Sequence, residues 1–299
     1  VSQITIETLL AIPSFSIYIF LFRSYLKRRP RILNDSFFTL YLVSAALSMV
    51  FFFMNLIFMR IPGIGILCDP IMNSPLSQST YILSFPYFAL YYLPYAMIFS
   101  NIAISLNRMC SVLFVVDFVK MWVYITPMAV LLIFFLPLSL SWHLIISPAY
   151  YSDVANGLGM NYDKVVNYPK NSMISLITYL SSAGIVTLST LITALRMTQM
   201  VKRHKKSEVS LLLVGALQSF GTLLMAAHSL HMYNHFSEFL YQKRFVIVDY
   251  QCFCSAWTLL LLSANVRKEI RRSLLNQLNK TGTVKSSLGK GHSKLSIND

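Results

Sequence analysis

Seven long apolar blocks, at 8–22, 36–59, 70–107, 121–152, 171–195, 209–237 and 245–266, alternate with polar stretches along this chain. A bilayer hydrocarbon core of about 30 Å takes roughly 20 helical residues to cross. Six blocks reach that length directly, and the first does so when counted from Ile4, with Glu7 near its end. Backbone polar groups in lipid must be satisfied within their own segment, so each block is expected to be a helix. A transmembrane barrel would instead show alternating segments of about ten residues. Strand-like patches such as 245–248 sit inside longer apolar runs. The expected spans are 4–22, 36–59, 82–106, 121–146, 173–195, 209–232 and 245–264. Composition points the same way: 56% of residues are hydrophobic and only 12% are charged, against about 25% charged in an ordinary soluble domain.

Basic charge then orients the bundle. Twenty of the 25 Lys and Arg residues fall in four alternate stretches. Arg23, Lys27, Arg28, Arg29 and Arg31 follow the first block; Arg108 and Lys120 follow the third; Arg196, Lys202, Arg203, Lys205 and Lys206 follow the fifth. Arg267, Lys268, Arg271, Arg272, Lys280, Lys285, Lys290 and Lys294 lie after the seventh. The other side carries only Arg60, Lys164, Lys170, Lys243 and Arg244. Positive charge marks the cytoplasmic side, so the N-terminus and the 153–170 loop are expected outside and the C-terminal tail inside. The first block is read as a span rather than a secretory signal, because its basic cluster follows it and no small-residue cleavage site is present. Anionic inner-leaflet lipid accounts for the net charge of +14, and no nucleic-acid partner is needed. The sequons Asn34-Asp35-Ser36 and Asn279-Lys280-Thr281 are both cytosolic in this arrangement and are expected to remain unmodified.

The fold class expected is all-α: one heptahelical domain over 1–280, followed by a disordered cytoplasmic tail at 281–299. Beyond the seventh span, Ile270, Leu274 and Leu278 recur every four residues among basic neighbours, the pattern of a short amphipathic helix on the inner leaflet. The cysteines Cys68, Cys110, Cys252 and Cys254 are expected to be buried or free thiols. The loop at 147–172 contains no Cys, so no disulfide can join it to the third helix.

Function classes separate on single residues. A retinal protein needs a Schiff-base Lys in the seventh helix, and 245–264 has none. A secondary transporter would show inverted repeats and broken polar helices. An intramembrane metal-dependent hydrolase rests on His228, His231 and His235, spaced i, i+3, i+7, with Asp249 on the next helix. The ordinary reading is that His228 and His231 end the sixth helix while His235 lies in the loop beyond. No second ligand cluster of similar spacing occurs, and neither a resident metal nor a cofactor is expected. The remaining class is a heptahelical receptor, in which an outer ligand and an inner partner bias one conformational equilibrium, with a non-signalling membrane partner protein as a further alternative.

Such a receptor needs an outer cavity and an inner latch. Phe88, Tyr91, Tyr92, Tyr95 and Phe99 form a stripe at helical spacing in the third block, and Tyr combines apolar area with a hydroxyl. Tyr91, Tyr95, His143, Tyr179, His228 and Asp249 are the candidate ligand-binding residues, with Trp142 nearby. Aromatics at such positions also simply pack a bundle or form its interfacial belt. Asp249 stands apart, because an ionisable side chain within a span is costly. On the inner side, Asn107 and Arg108 are latch candidates; an Arg there either exchanges partners between states or merely snorkels to the interface.

The run Asn107-Arg108-Met109-Cys110-Ser111-Val112-Leu113-Phe114 resembles the third-helix signature of nematode serpentine receptors of class gamma, with Cys110 where Thr is common. Further matches follow in order: Trp122 and Pro127, the run 137–142 with His143 and Ser147, Asn161-Tyr162, Glu208 before Leu211, and Asp249. The resemblance extends from the first basic loop to Arg267. It implies a plasma-membrane chemosensory receptor, in sensory neurons, that binds a small extracellular molecule and signals through a heterotrimeric G protein. Arg108, the loop at 196–206 including Lys202 and Arg203, and the basic tail helix are then expected to face that G protein. Two departures stand out. Val115 replaces a Pro common in the family, and 250–264 lacks the family's seventh-helix Pro, so a straighter helix is expected there. The acidic and aromatic neighbours that flank the third-helix Arg in rhodopsin-like receptors are replaced by Asn107 and Met109, and the Asn-Pro-x-x-Tyr motif is absent.

Overall fold

A computed structural model of the chain describes residues 2–27, 36–65, 67–114, 116–154, 157–199, 205–234, 244–262 and 267. Seven long helices lie among them: α1 Ser2–Lys27, α2 Ser36–Asn55, α3 Ser84–Leu113, α4 Phe118–Ser141, α5 Asn171–Gln199, α6 Lys205–Asn234 and α7 Arg244–Leu262. Among the described residues, Ser36–Gly63, Ser84–Leu113, Phe118–Leu144 and Asn171–Gln199 are each long and apolar enough to cross a membrane. Residues 263–266 and 268–299, which include the expected tail helix and tail, lie outside the described residues, as do Lys202, Arg203 and His235.

The helices pack as the apolar pattern directs. α3 is the hub: it contacts α2, α4 and α5, while α6 joins α5 to α7 and α7 returns to α2 and α1. Leu40, Tyr41 and Phe52 of α2 meet Ala96, Met97 and Ile98 of α3 in the core, with Cys252 and Ala256 of α7. α4 is peripheral. Val123, Tyr124, Met128, Leu131, Leu132 and Phe135 point outward and are exposed, an apolar face suited to lipid and not to water.

Polar side chains tie neighbouring helices together inside this apolar mass. The Tyr18 hydroxyl on α1 donates to the Cys252 carbonyl at 2.8 Å and lies 2.6 Å from Ser255 Oγ. Trp257 Nε1 donates to Ser14 Oγ at 2.9 Å. Tyr250 on α7 donates to the Leu217 carbonyl of α6 at 3.0 Å. Each such bond contributes about 1 kcal/mol net and fixes rotation as well as contact. The four cysteines are free thiols.

Two features depart from a plain bundle. α2 continues beyond Asn55 through a π-helical stretch, Leu56–Arg60, and a final turn, Ile61–Gly63. The loop between α4 and α5 folds into an antiparallel hairpin, β1 Ala149–Val154 with β2 Gly157–Tyr162, in register from Ala149 opposite Tyr162 to Val154 opposite Gly157. The apolar pattern had assigned 149–152 to the end of the fourth block. The helical run ends earlier, at the 3-10 turn Trp142–Leu144, and beyond Pro148 the strand places Tyr151 and Leu158 on one face, buried against Leu83, Tyr87, Phe88 and Leu144. Tyr151 donates to the Phe58 carbonyl at 3.0 Å; burial pushes its phenol up to about 12, so the hydroxyl stays protonated and donating. The hairpin therefore caps the bundle end formed by the π-helical stretch and the start of α3.

Candidate functional site

Beneath the hairpin lies a cluster built from α3, the turn after α4, and α5. The spacing of Tyr87, Tyr91 and Tyr95 on α3 is four residues, so their rings stack along one helical face. Tyr87 and Tyr91 have ring centroids 5.2 Å apart, and Tyr87 packs at the same distance on Tyr162 of β2. The Tyr87 hydroxyl reaches Tyr91 at 3.4 Å. Tyr95 shares a hydrogen bond of 2.8 Å with Ser175 Oγ on α5. Tyr179 follows one turn further along α5 and is buried. Tyr92, by contrast, faces away: it donates to the Phe134 carbonyl at 2.9 Å, at an apolar groove of about 590 Å³ lined by Val43, Leu47 and Val50. The aromatic stripe thus divides into an inward set and a membrane-facing set.

His143 completes the cluster. A single 3-10 turn, Trp142–Leu144, ends α4 and swings the imidazole inward. Its Nε2 lies 2.9 Å from Asn171 Oδ1 at the start of α5, and its ring stacks on Tyr168 at 4.2 Å between centroids. His143 and Asn171 are 2% and 7% exposed. Yet His143 Nδ1 has no hydrogen-bond partner among the described residues, and the Asn171 amide, whose Nδ2 makes no bond of normal length and angle, faces the Tyr87 and Tyr91 hydroxyls. In the orientation shown, Asn171 Oδ1 accepts from His143 Nε2–H, which leaves a buried acceptor on His143 Nδ1 and turns the Asn171 NH2 toward the tyrosine hydroxyls. Buried groups left in this condition cost about 1–3 kcal/mol each, unless a water or a ligand meets them.

Asp249 belongs to a second arrangement. Its carboxylate is gripped by Arg60: Nη1 donates to Oδ2 at 3.1 Å, and Nη2 pairs with Oδ1. Arg60 Nε donates to Asn55 Oδ1 at 3.0 Å, and Nη2 reaches the Phe245 carbonyl at 3.4 Å. The guanidinium lies 5.3 Å from the Phe52 ring centroid and 5.1 Å from that of Phe245. At 1% exposure, Arg60 is the largest fully buried side chain among the described residues. This is a two-pronged ion pair that joins the end of α2 to the start of α7. The π-helical stretch makes it possible, because its wider turn brings Asn55 and Arg60, five residues apart, into register.

Of the sequence candidates, Tyr91, Tyr95, His143 and Tyr179 are thus grouped with Asn171 and Ser175. Asp249 lies in the α2–α7 pair, and His228 is half-buried on α6, which packs mainly on α5 and α7. His231 is also on α6. No group of three or more His, Cys, Asp or Glu is placed to hold a metal among the described residues. Sequence reasoning missed Arg60, Asn171 and Tyr87. Arg60 carried one signal, namely its direct attachment to a 24-residue apolar block without an intervening polar loop.

At the opposite end, Asn107 is 1% exposed and donates through Nδ2 to Ser36 Oγ at 2.7 Å. Arg108 lies over the Phe37 ring with its guanidinium carbon 3.5 Å from the centroid. Both residues therefore contact the first turn of α2. An Arg stacked on an aromatic face keeps its donors at the ring edge, where helix ends or a partner can compete for them.

The sequence profile of the Srg chemoreceptor family matches residues 4–270. The chain is also similar to several serpentine receptors of Caenorhabditis elegans, three of which illustrate the range. With serpentine receptor class gamma-3 it shares 28% identity, over 85% of this chain and 78% of that protein. With class gamma-17 it shares 30%, over 66% and 62%; with class gamma-69 it shares 25%, over 89% and 80%.

Proposed function

Because this chain belongs to the Srg family of chemoreceptors, a family of multi-pass membrane proteins, we propose that it is a seven-span plasma-membrane receptor of sensory neurons that binds a small extracellular molecule and signals through a G protein. In this reading the N-terminus and the hairpin face outward. The ligand enters beneath the hairpin and meets Tyr91, Tyr95, His143 and Tyr179, with His228 and Asp249 on the neighbouring helices that respond. The observation that carries the reading is the buried Nδ1 of His143, which has no partner among the described residues, set with the Asn171 amide among tyrosine rings beneath the hairpin. A small, mostly apolar molecule with one hydroxyl or carbonyl head suits such a lining.

On the cytoplasmic side of this reading, Arg108 meets the G protein together with the basic residues Lys202 and Arg203 and the basic stretch that follows the seventh span, while Asn107, buried against Ser36, holds α3 to α2. Acidic patches on a G protein complement these basic elements. A ligand screen in cells carrying a promiscuous G protein tests the whole reading. Once a ligand is in hand, Arg108→Ala is expected to abolish the response while surface expression stays intact. An undiminished response in that variant overturns the coupling role of Arg108.

A further inference from the structure

Midway along the bundle, away from the tyrosine cluster, Ser44 and Ser48 of α2, Asn101 of α3, Gln218 of α6, and Gln251 and Ser255 of α7 line a small enclosed chamber. Four helices contribute to it, and its hydrogen-bonding groups outnumber what an apolar packing defect would hold. Both amide atoms of Gln251, Oε1 and Nε2, are buried and have no hydrogen-bond partner among the described residues. The space open to the centre of a water molecule is about 10 Å³, close to the roughly 10–15 Å³ that one water requires. We infer that this chamber is a binding site for one ordered water molecule, held by the Gln251 amide and bridging α7 to α2, α3 and α6.

The chemistry of the lining selects water over an ion. Every lining group is neutral, and the nearest carboxylate along α7, Asp249, is engaged by Arg60. A cation would give up its hydration shell without gaining a counter-charge. Water satisfies both a donor and an acceptor, which is what a primary amide presents. An empty chamber would leave both Gln251 groups unmet, whereas dry cavities in proteins are lined by apolar side chains. Because Gln218 and Gln251 sit on different helices that both border the site, a shift of α6 against α7 changes the shape of the water's cage.

A density map of the full chain in lipid nanodiscs, at about 2.5 Å, is expected to show a single peak within 3.2 Å of Gln251 Oε1 or Nε2. The Gln251→Leu variant is expected to lose that peak while its unfolding midpoint stays within a few degrees of the parent. Midpoints of the parent in sodium chloride and in choline chloride, at equal ionic strength, are expected to coincide. A clear map without the peak, a midpoint raised specifically by sodium, or a peak that persists in Gln251→Leu overturns the assignment. The parent map and the salt comparison stand even if the variant fails to fold, and none of these measurements depends on a ligand or a G protein.

Discussion

Arg60 is the bulkiest fully buried side chain among the described residues, and it carries a charge. A buried charge is tolerable only with a partner, and Asp249 supplies it with Asn55 and two aromatic rings around the guanidinium. Asp249→Ala leaves that guanidinium buried and unbalanced, and is expected to destabilise the bundle by about 3–5 kcal/mol. The double variant Arg60→Met with Asp249→Leu is expected to recover most of the loss. Thermal unfolding of the purified chain in detergent, run as a double-mutant cycle, measures both; an unchanged midpoint in Asp249→Ala would show that the pair carries no such weight. His143 and Asn171 behave oppositely. Replacing them together, as His143→Phe with Asn171→Leu, removes the unmet His143 Nδ1 and the bond between the pair, but also the amide that faces Tyr87 and Tyr91, so the midpoint should change little. If the pair serves a ligand, the half-maximal ligand concentration should rise at least tenfold. A response unchanged in potency removes the pair from the ligand site. Asp249 was legible in the sequence, since an acid inside an apolar run needs a reason. Arg60 offered only its attachment to an apolar block, and nothing in local spacing marks a partner 189 positions away.

At the scale of elements, helices were the legible part and the cap was not. Runs of more than 20 apolar residues admit few conformations in lipid, so α2 to α5 follow directly from them. The third helix nonetheless runs to Leu113, beyond the 106 set by hydropathy, because a helix continues into polar surroundings where hydropathy stops. The π-helical stretch and the hairpin depend on tertiary contacts that no periodicity encodes. Gly157 shows how closely they fit. Its φ is +157°, and a Cβ there would lie 2.4 Å from the Gly63 carbonyl oxygen at the end of α2. Gly157→Ala is therefore expected to lift the hairpin away from α2 and to break the Tyr151–Phe58 bond. Hydrogen exchange should report it as a loss of amide protection over 149–162, while α3 and α5 stay protected. Retained protection in the hairpin would mean that the contact with Gly63 relaxes at little cost. The same substitution tests whether the hairpin acts as a lid, since ligand dissociation should quicken when it lifts.

At the scale of the whole molecule, two gradients set the orientation we propose. One is charge: among the described residues, Arg23 near the end of α1 and Arg196 near the end of α5 lie toward the Arg108 end, the side to which the sequence also assigns the dense basic stretches. The other is structure: the hairpin closes the opposite end over the tyrosine cluster. An inner leaflet rich in anionic lipid attracts the first, at about 1 kcal/mol per basic residue near the surface, and leaves the second facing out. Inverting the molecule would bury the capped end in the cytosol and carry the dense basic loops across the membrane. Glycosylation separates the two arrangements, because only lumenal or extracellular sequons are modified. An Asn-x-Thr sequon placed in the β1–β2 turn, on a short spacer that clears Gly63, is expected to gain a glycan in eukaryotic cells. The native Asn34-Asp35-Ser36 and Asn279-Lys280-Thr281 are expected to stay bare in the same preparation. A glycan on either native site, with none on the hairpin, would reverse the topology and move the ligand site and the Arg108 surface to opposite sides from those proposed.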